Sequence, residues 1–190
     1  MLFALCYCWI SGDLFSSYAR HKEFMKKLGK ILAPTDLSPL SCAGVRYALE
    51  LARSEGAEVI VYHVIGYEEA GPYNIGYPLE WLCSRSFGLA RDLRARHQAL
   101  LDEYLREKCG DLISGVRIRR EVEVGIPYKR IVEKAAEEEA GLIVMSTHGK
   151  TGLPHIMVGS VAQNVIRYAP CPVLSIRPPQ QARTAAAALG

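Results

Sequence analysis

The chain has 190 residues, 49% hydrophobic and 23% charged, with a mean hydropathy of +0.05, which is ordinary globular usage and excludes collagen-like, coiled-coil and wholly disordered chains. A single domain of this length buries roughly 70% of the surface its unfolded chain exposes, so it needs no disulfide or metal to hold it together. The formal charge of +3 comes from the ends: residues 1–29 carry four Lys/Arg against two Asp/Glu, Arg183 lies in the tail, and the body between is neutral. Without a clustered cationic footprint, nucleic acid is not an expected partner.

A regular pattern begins at Lys30. Lys30 to Thr35 (KILAPT) reads as a short strand, and Asp36-Leu37-Ser38-Pro39 follows it. Ser38 as N-cap with Pro39 at the first helical position predicts a helix start, because proline lacks only an N–H that would be orphaned there. Leu40, Gly44, Tyr47, Ala48 and Leu51 recur at helical spacing up to Gly56. Ala57 to Ile65 (AEVIVYHVI) is a β-branched run expected of a strand covered on both faces. Gly66 to Ser84, with three glycines and two prolines, reads as a long irregular loop.

Leu89, Leu93, Leu100, Leu101, Tyr104 and Leu105 predict one amphipathic helix over Arg85 to Cys109. Val116 to Val124 (VRIRREVEV) alternates apolar and charged residues, the pattern of a half-exposed edge strand. Pro127 opens the next helix, with Ile131, Val132, Ala135 and Ala136 on one face. Leu142 to Ser146 is a central strand and Ser160 to Tyr168 a helix, its Ser160 and Gln163 spaced as a capping box; Cys171 to Ile176 closes the pattern as a strand. The predicted order is βαβαβαβαβ, a parallel α/β sheet with right-handed crossovers. Such sheets bind ligands beyond the carboxyl ends of their strands, which here means Thr35-Asp36, His63-Val64 and Ser146 to Gly159.

The domain is expected over residues 30–177, with residues 1–29 a flexible extension and 178–190 a disordered tail. The opening run MLFALCYCWI lacks the basic region and cleavage site of a secretory signal, and no run of 18 apolar residues occurs. A cytoplasmic protein without membrane contact is expected. The six cysteines show no metal-ligand spacing and read as reduced thiols.

Met145 to Asn164 (MSTHGKTGLPHIMVGSVAQN) carries most of the chemical information: a strand ends, a loop with Gly149, Gly152 and Gly159 follows, and a helix begins. Glycines let backbone amides approach an anion and a helix N-terminus adds positive potential, so the segment reads equally as a phosphate cradle or as an ordinary loop before a capped helix. Gly149-Lys150-Thr151 is no Walker A motif, since Val144 stands where its first glycine belongs, and no G-x-G-x-x-G occurs. Asp36 alone reads as a turn residue, His63 as a satisfied core histidine, His97 as a helix residue near the apolar stripe and Glu137-Glu138-Glu139 as a solvated helix end. His155 has no partner at metal-ligand spacing.

Three features together, Ala33-Pro34-Thr35-Asp36-Leu37-Ser38, His63-Val64, and the S-x-x-G-x9-G-S run from Ser146 through Gly149 to Gly159-Ser160, resemble the universal stress protein family, with CPVLSI as its closing strand. The resemblance covers Lys30 to Arg177. It implies a five-stranded parallel, Rossmann-like sheet, a homodimer paired through the last strand, and, in one subgroup, a site for ATP with Mg²⁺. By the resemblance, Asp36 faces the ribose or the metal-bridged phosphates, Pro34 and Thr35 shape the pocket floor, Val64 holds adenine through its backbone and Met145 lines the base. Amides near His148, Gly149, Gly159, Ser160 and Val161 take the phosphates, with the Ser160 hydroxyl on a terminal oxygen. Ser146 departs from the ATP-binding pattern, which has glycine there. No H-E-x-x-H, G-x-S-x-G or enforced Cys/His pair occurs, so no catalytic residue is expected and ATP hydrolysis, if present, is slow. The expected function is that of a nucleotide-binding stress-response module. A dimeric interaction protein of the same fold without nucleotide is the alternative.

Overall fold

The computed structural model describes residues 28–67, 87–147 and 159–177. Five strands, β1 (Lys30–Thr35), β2 (Glu58–Ile65), β3 (Arg117–Val124), β4 (Leu142–Ser146) and β5 (Val173–Ile176), alternate with four helices, α1 (Cys42–Glu55), α2 (Phe87–Ile113), α3 (Pro127–Glu137) and α4 (Ser160–Tyr168). All strand pairs are parallel, in the order β3-β2-β1-β4-β5. The chain steps outward from β1 to β3, then returns to β4 on the other side, so the topological switch lies between β1 and β4. This is the α/β fold the element order predicts.

The sheet is covered on both faces. One face of β1, β2 and β4 packs Ile31, Ala33, Val59, Val61, Leu142 and Val144 against α1 and α2; the other packs Leu32, Ile60, Tyr62 and Ile143 against α3 and α4. Strands buried twice read as unbroken apolar runs, which is why β2 and β4 stand out in the sequence. β3 lies at an edge and is half-buried along most of its length rather than alternating between buried and exposed. Its Glu121 and Glu123 face α3, where both take Lys134 at 3.0 Å, while Arg130 pairs with Glu123.

Several boundaries differ from the sequence expectation. Ser38 and Pro39 open a separate turn, in which Ser41 N donates to Ser38 O and Oγ at 3.2 Å, and regular helix begins only at Cys42. The buried stripe of α1 is Gly44, Val45, Ala48, Leu49 and Ala52, while Tyr47 is exposed. The small residues at Gly44, Ala48 and Ala52 let α1 lie close against the sheet, which rotates its inner face by about one residue. α2 runs past Cys109 to Ile113, because Leu101, Leu105, Cys109 and Leu112 continue one buried stripe across Gly110. Leu100, counted with that stripe, is 43% exposed, and Ala136 of α3 is also on the outside.

Glu138 is not a solvated helix end. Its carboxylate takes Arg119 at 2.5 Å and Lys30 at 2.9 Å, and those two hydrogen bonds, Arg119 first, lower its pKa from 4.5 to about 2. A carboxyl with a depressed folded pKa adds stability above its unfolded pKa and loses it as pH falls through the folded value. The urea midpoint should therefore drop as pH is taken from 5 to 2, and Glu138→Gln should flatten that slope.

Candidate functional site

The pairing of β1 with β4 holds at Ile31↔Leu142 and Leu32↔Ile143 and ends there, short of the carboxyl end of β1. Pro34 has no N–H to extend the ladder. On the other side β1 pairs with β2 as far as Thr35↔His63, so Val64 and Ile65 outrun it. A crevice therefore opens at the carboxyl edge of β1, flanked by the ends of β2 and β4.

The turn after β1 is tightly determined. Thr35 Oγ1 accepts Leu37 N–H at 3.1 Å and lies 2.8 Å from Ser41 Oγ; Asp36 Oδ1 accepts Ser38 N–H at 3.0 Å. Between these bonds Leu37 is held at φ 62°, a left-handed conformation that a leucine adopts only under external constraint. The result is a half-buried Asp36 with one carboxylate oxygen fixed by the backbone. Ser41 Oγ continues the network, donating to Ser38 O at 2.9 Å and lying 3.2 Å from the Tyr104 hydroxyl of α2. Burial pushes the Tyr104 pKa well above its ordinary value, so this hydroxyl stays protonated.

Next to this turn lies a cavity of about 370 Å³ lined by Asp36, Leu37, Ser38, His63 and a stretch of α2 from His97 to Lys108. His63 is 1% exposed and its Nδ1 is 2.9 Å from Thr35 O. A carbonyl only accepts, so His63 Nδ1 carries a proton, and its Nε2 lies 3.0 Å from His97 Nδ1. His63 is thus the satisfied core histidine the sequence implies. Its link to His97 ties the end of β1 to α2.

Among the residues predicted for the site, Asp36 lines this cavity and Thr35 lies beneath it. Pro34, Val64 and Met145 do not line it; Val64 and Met145 pack with the α3/α4 layer. His148 and Gly149 lie outside the described residues. The α2 residues Glu103, Tyr104, Glu107 and Lys108 were missed, and no local signal marks them, because their approach to Asp36 follows from how α2 crosses the sheet.

At the end of β4, Thr147 N–H donates to Ile176 O at 2.9 Å, and Gly159 N–H donates to Thr147 O at 2.7 Å. This second bond brings the start of α4 to the carboxyl end of β4. It also corrects two expectations. The Gly159 amide is already bonded to Thr147 O and is not available to an anion, and the N-cap is Gly159 with no side-chain cap, so Ser160 is the first helical residue rather than the head of a capping box. The first helical bond is Gln163 N–H to Gly159 O, which leaves the amides of Ser160, Val161 and Ala162 directed out of the helix end.

Ser146 does not project into the crevice. Its Oγ accepts Gly44 N–H at 3.0 Å and donates to Ser41 O at 3.3 Å, so the hydroxyl is turned into the first turn of α1. Removing two buried hydrogen bonds costs about 1–3 kcal/mol. Ser146→Gly should therefore lower the melting temperature by about 5 °C in a thermal melt. Among the described residues no helix is long and apolar enough to cross a membrane, and no cluster of three or more His, Cys, Asp or Glu is placed to hold a metal ion.

Known proteins are similar to this chain in sequence and fold. Universal stress protein MJ0531 of Methanocaldococcus jannaschii is 34% identical over 179 residues, covering 88% of this chain and 92% of its own length. MJ0577 of the same organism, also named a universal stress protein, is 31% identical over 156 residues. The solved structure of MJ0577 superposes with a TM-score of 0.60 at 29% identity, over 80% of this chain and 98% of that one. A universal stress protein solved in complex with cAMP has the same fold, with a TM-score of 0.56 at 22% identity, over 80% of this chain and 98% of its own. The sequence model of the universal stress protein family matches residues 27–177, and this chain belongs to that family.

Proposed function

We propose that this chain is a cytoplasmic, homodimeric module that binds an adenine nucleotide, ATP with Mg²⁺, in the crevice between β1 and β4. The observation that carries the reading is the N-terminus of α4. Its N-cap is a glycine, with no capping side chain among the described residues; it is held at the end of β4 by the Gly159–Thr147 bond, and the amides of Ser160 and Val161 are directed outward. These donors and the helix dipole suit phosphate oxygens. The cavity beside α2 does not suit them, because Asp36, Glu103 and Glu107 set three carboxylates there against Lys108. In this reading the phosphates extend toward α4 and the fixed Asp36 carboxylate accepts a ribose hydroxyl or meets the Mg²⁺ the phosphates carry. Pro34, Val64 and Met145 line the base side, with His148 and Gly149 completing the phosphate loop. The cAMP held by a protein of this fold is consistent with an adenine ligand.

In this reading the site binds and positions the nucleotide, and among the described residues none is assigned as a general base. Calorimetric titration of the full chain with Mg-ATP tests the reading. Saturable heat with one nucleotide per protomer is expected. No heat with ATP, ADP or AMP would leave the interaction module in its place.

The dimer is proposed through β5, which among the described residues pairs with β4 along one edge only and keeps Val173, Leu174 and Ile176 half-buried. An apolar edge with unpaired backbone groups is covered most simply by its own copy. Light scattering at micromolar concentration should give twice the chain mass. Val173→Glu should halve it.

A further inference from the structure

Leu37 stands at φ 62°, and among the described residues the only other non-glycine residue with a positive φ is Glu139, between α3 and β4. A left-handed leucine is costly, because its Cβ crowds the following carbonyl oxygen and its side chain has no polar group to bond the nearby backbone. Hydrogen bonds close the turn on both sides of it: Thr35 Oγ1 accepts the Leu37 N–H at 3.1 Å, and Asp36 Oδ1 accepts the Ser38 N–H at 3.0 Å. The peptide that carries the Ser38 N–H is oriented by the Leu37 dihedrals, so a return of Leu37 to the right-handed region would turn that N–H away from the Asp36 carboxylate. The side chain opposes this return. Leu37 is half-buried, packs on the apolar cluster between the sheet and the α1/α2 layer, and lines the cavity beside Asp36 with His63, His97 and Leu100. Glycine would take the same backbone without cost but has nothing to anchor it. Strained residues that their surroundings hold in place concentrate at ligand clamps.

We propose that Leu37 is a positioning residue of the site: its anchored left-handed turn aims the Asp36 carboxylate, so ligand affinity depends on a side chain that makes no polar contact with the ligand. This rests on the nucleotide reading for what Asp36 meets, a ribose hydroxyl or Mg²⁺, and goes beyond it in assigning where that aim is set. A carboxylate restrained before the ligand arrives loses less side-chain freedom on binding. Residue 37 can hold the turn in two ways, by an apolar anchor, as leucine does, or by an intrinsic tolerance of the left-handed region, as asparagine does. Alanine has neither. Asparagine should therefore replace Leu37 better than alanine, although both remove the apolar contact.

Amide hydrogen exchange by NMR without nucleotide, and calorimetric titration with Mg-ATP, are measured on the full-length parent, Leu37→Ala and Leu37→Asn. Relative to the Val61 amide in the centre of the sheet, the Ser38 amide should exchange about tenfold faster in Leu37→Ala, and Leu37→Asn should recover most of that protection. Mg-ATP affinity should fall about tenfold in Leu37→Ala, return to within about threefold of the parent in Leu37→Asn, and show no further loss when Leu37→Ala is added to Asp36→Ala. A leucine that only fills space would weaken both variants alike and would keep its effect without Asp36. Either of those results, or unchanged Ser38 exchange in Leu37→Ala, overturns the proposal. Should Leu37→Ala fail to fold, Leu37→Asn decides: Ser38 protection and affinity both kept support the proposal, and both lost overturn it. No heat with the parent itself would strike the nucleotide reading, while Ser38 exchange still decides whether Leu37 sets the aim of Asp36.

Discussion

Gly44→Ala is expected to destabilise the protein by about 2–3 kcal/mol, although alanine is the better helix former by about 1 kcal/mol. A Cβ at this position would lie 2.7 Å from Ser146 N and 2.9 Å from the carbonyl carbon of Met145. Both are backbone atoms of the strand at the centre of the switch, so neither can swing aside as a side-chain tip would. α1 would have to rise from β4, stretching the 3.0 Å bond from Gly44 N–H to Ser146 Oγ and loosening Ala48 and Ala52 against the sheet. The melting temperature should fall by about 5–10 °C. Gly110→Ala is the matched control: it sits inside α2 with nothing within 4 Å of the added carbon, and should gain up to about 1 kcal/mol from helix propensity alone. If the two substitutions shift the melt alike, close contact between α1 and β4 is not what fixes glycine at position 44.

The seam at Gly44 also marks where sequence reading ran out. The switch point between β1 and β4 comes from the sheet order β3-β2-β1-β4-β5, which the order of elements along the chain does not fix, whereas the strands were legible because burial on both faces leaves long apolar runs. Asp36 and the Gly159-Ser160 start of α4 were legible for the same reason, as strand ends and helix starts are local features. The inner face of α1 was misjudged by a residue because Tyr47 and Leu51 are as apolar as Val45 and Leu49, and only the close approach of Gly44 to β4 decides between them. Ser146 reads in the sequence only as a departure from the glycine of the ATP-binding pattern, because its partners, Gly44 and Ser41, lie more than a hundred residues earlier in the chain. The contacts of His63 with His97, and of Cys42 with the Lys108-Cys109 turn, depend likewise on where α2 crosses the sheet. Side-chain periodicity gives a helix its face but not its neighbour.

Gly159→Asp should separate binding from folding. Gly159 has φ −64° and ψ 151°, an ordinary extended conformation for an N-cap, so a side chain there meets no backbone strain. Its Cβ would stand 3.2 Å from Thr147 O, close enough to require a shift of a few tenths of an ångström. Against that small penalty, an aspartate at the N-cap bonds the first-turn amides and complements the helix dipole, and replacing glycine by a good cap gains a few tenths of a kcal/mol. Stability should therefore change by less than about 1 kcal/mol. The same carboxylate would occupy the amides of Ser160 and Val161 that the proposed site offers to phosphate and would set a negative charge where the phosphates arrive. Mg-ATP affinity in calorimetry should fall about 100-fold, near 2.7 kcal/mol, while Gly159→Ala, which adds the carbon without the charge, should lose much less. Equal affinity in the aspartate variant and the parent would show that the α4 amides do not hold the phosphates.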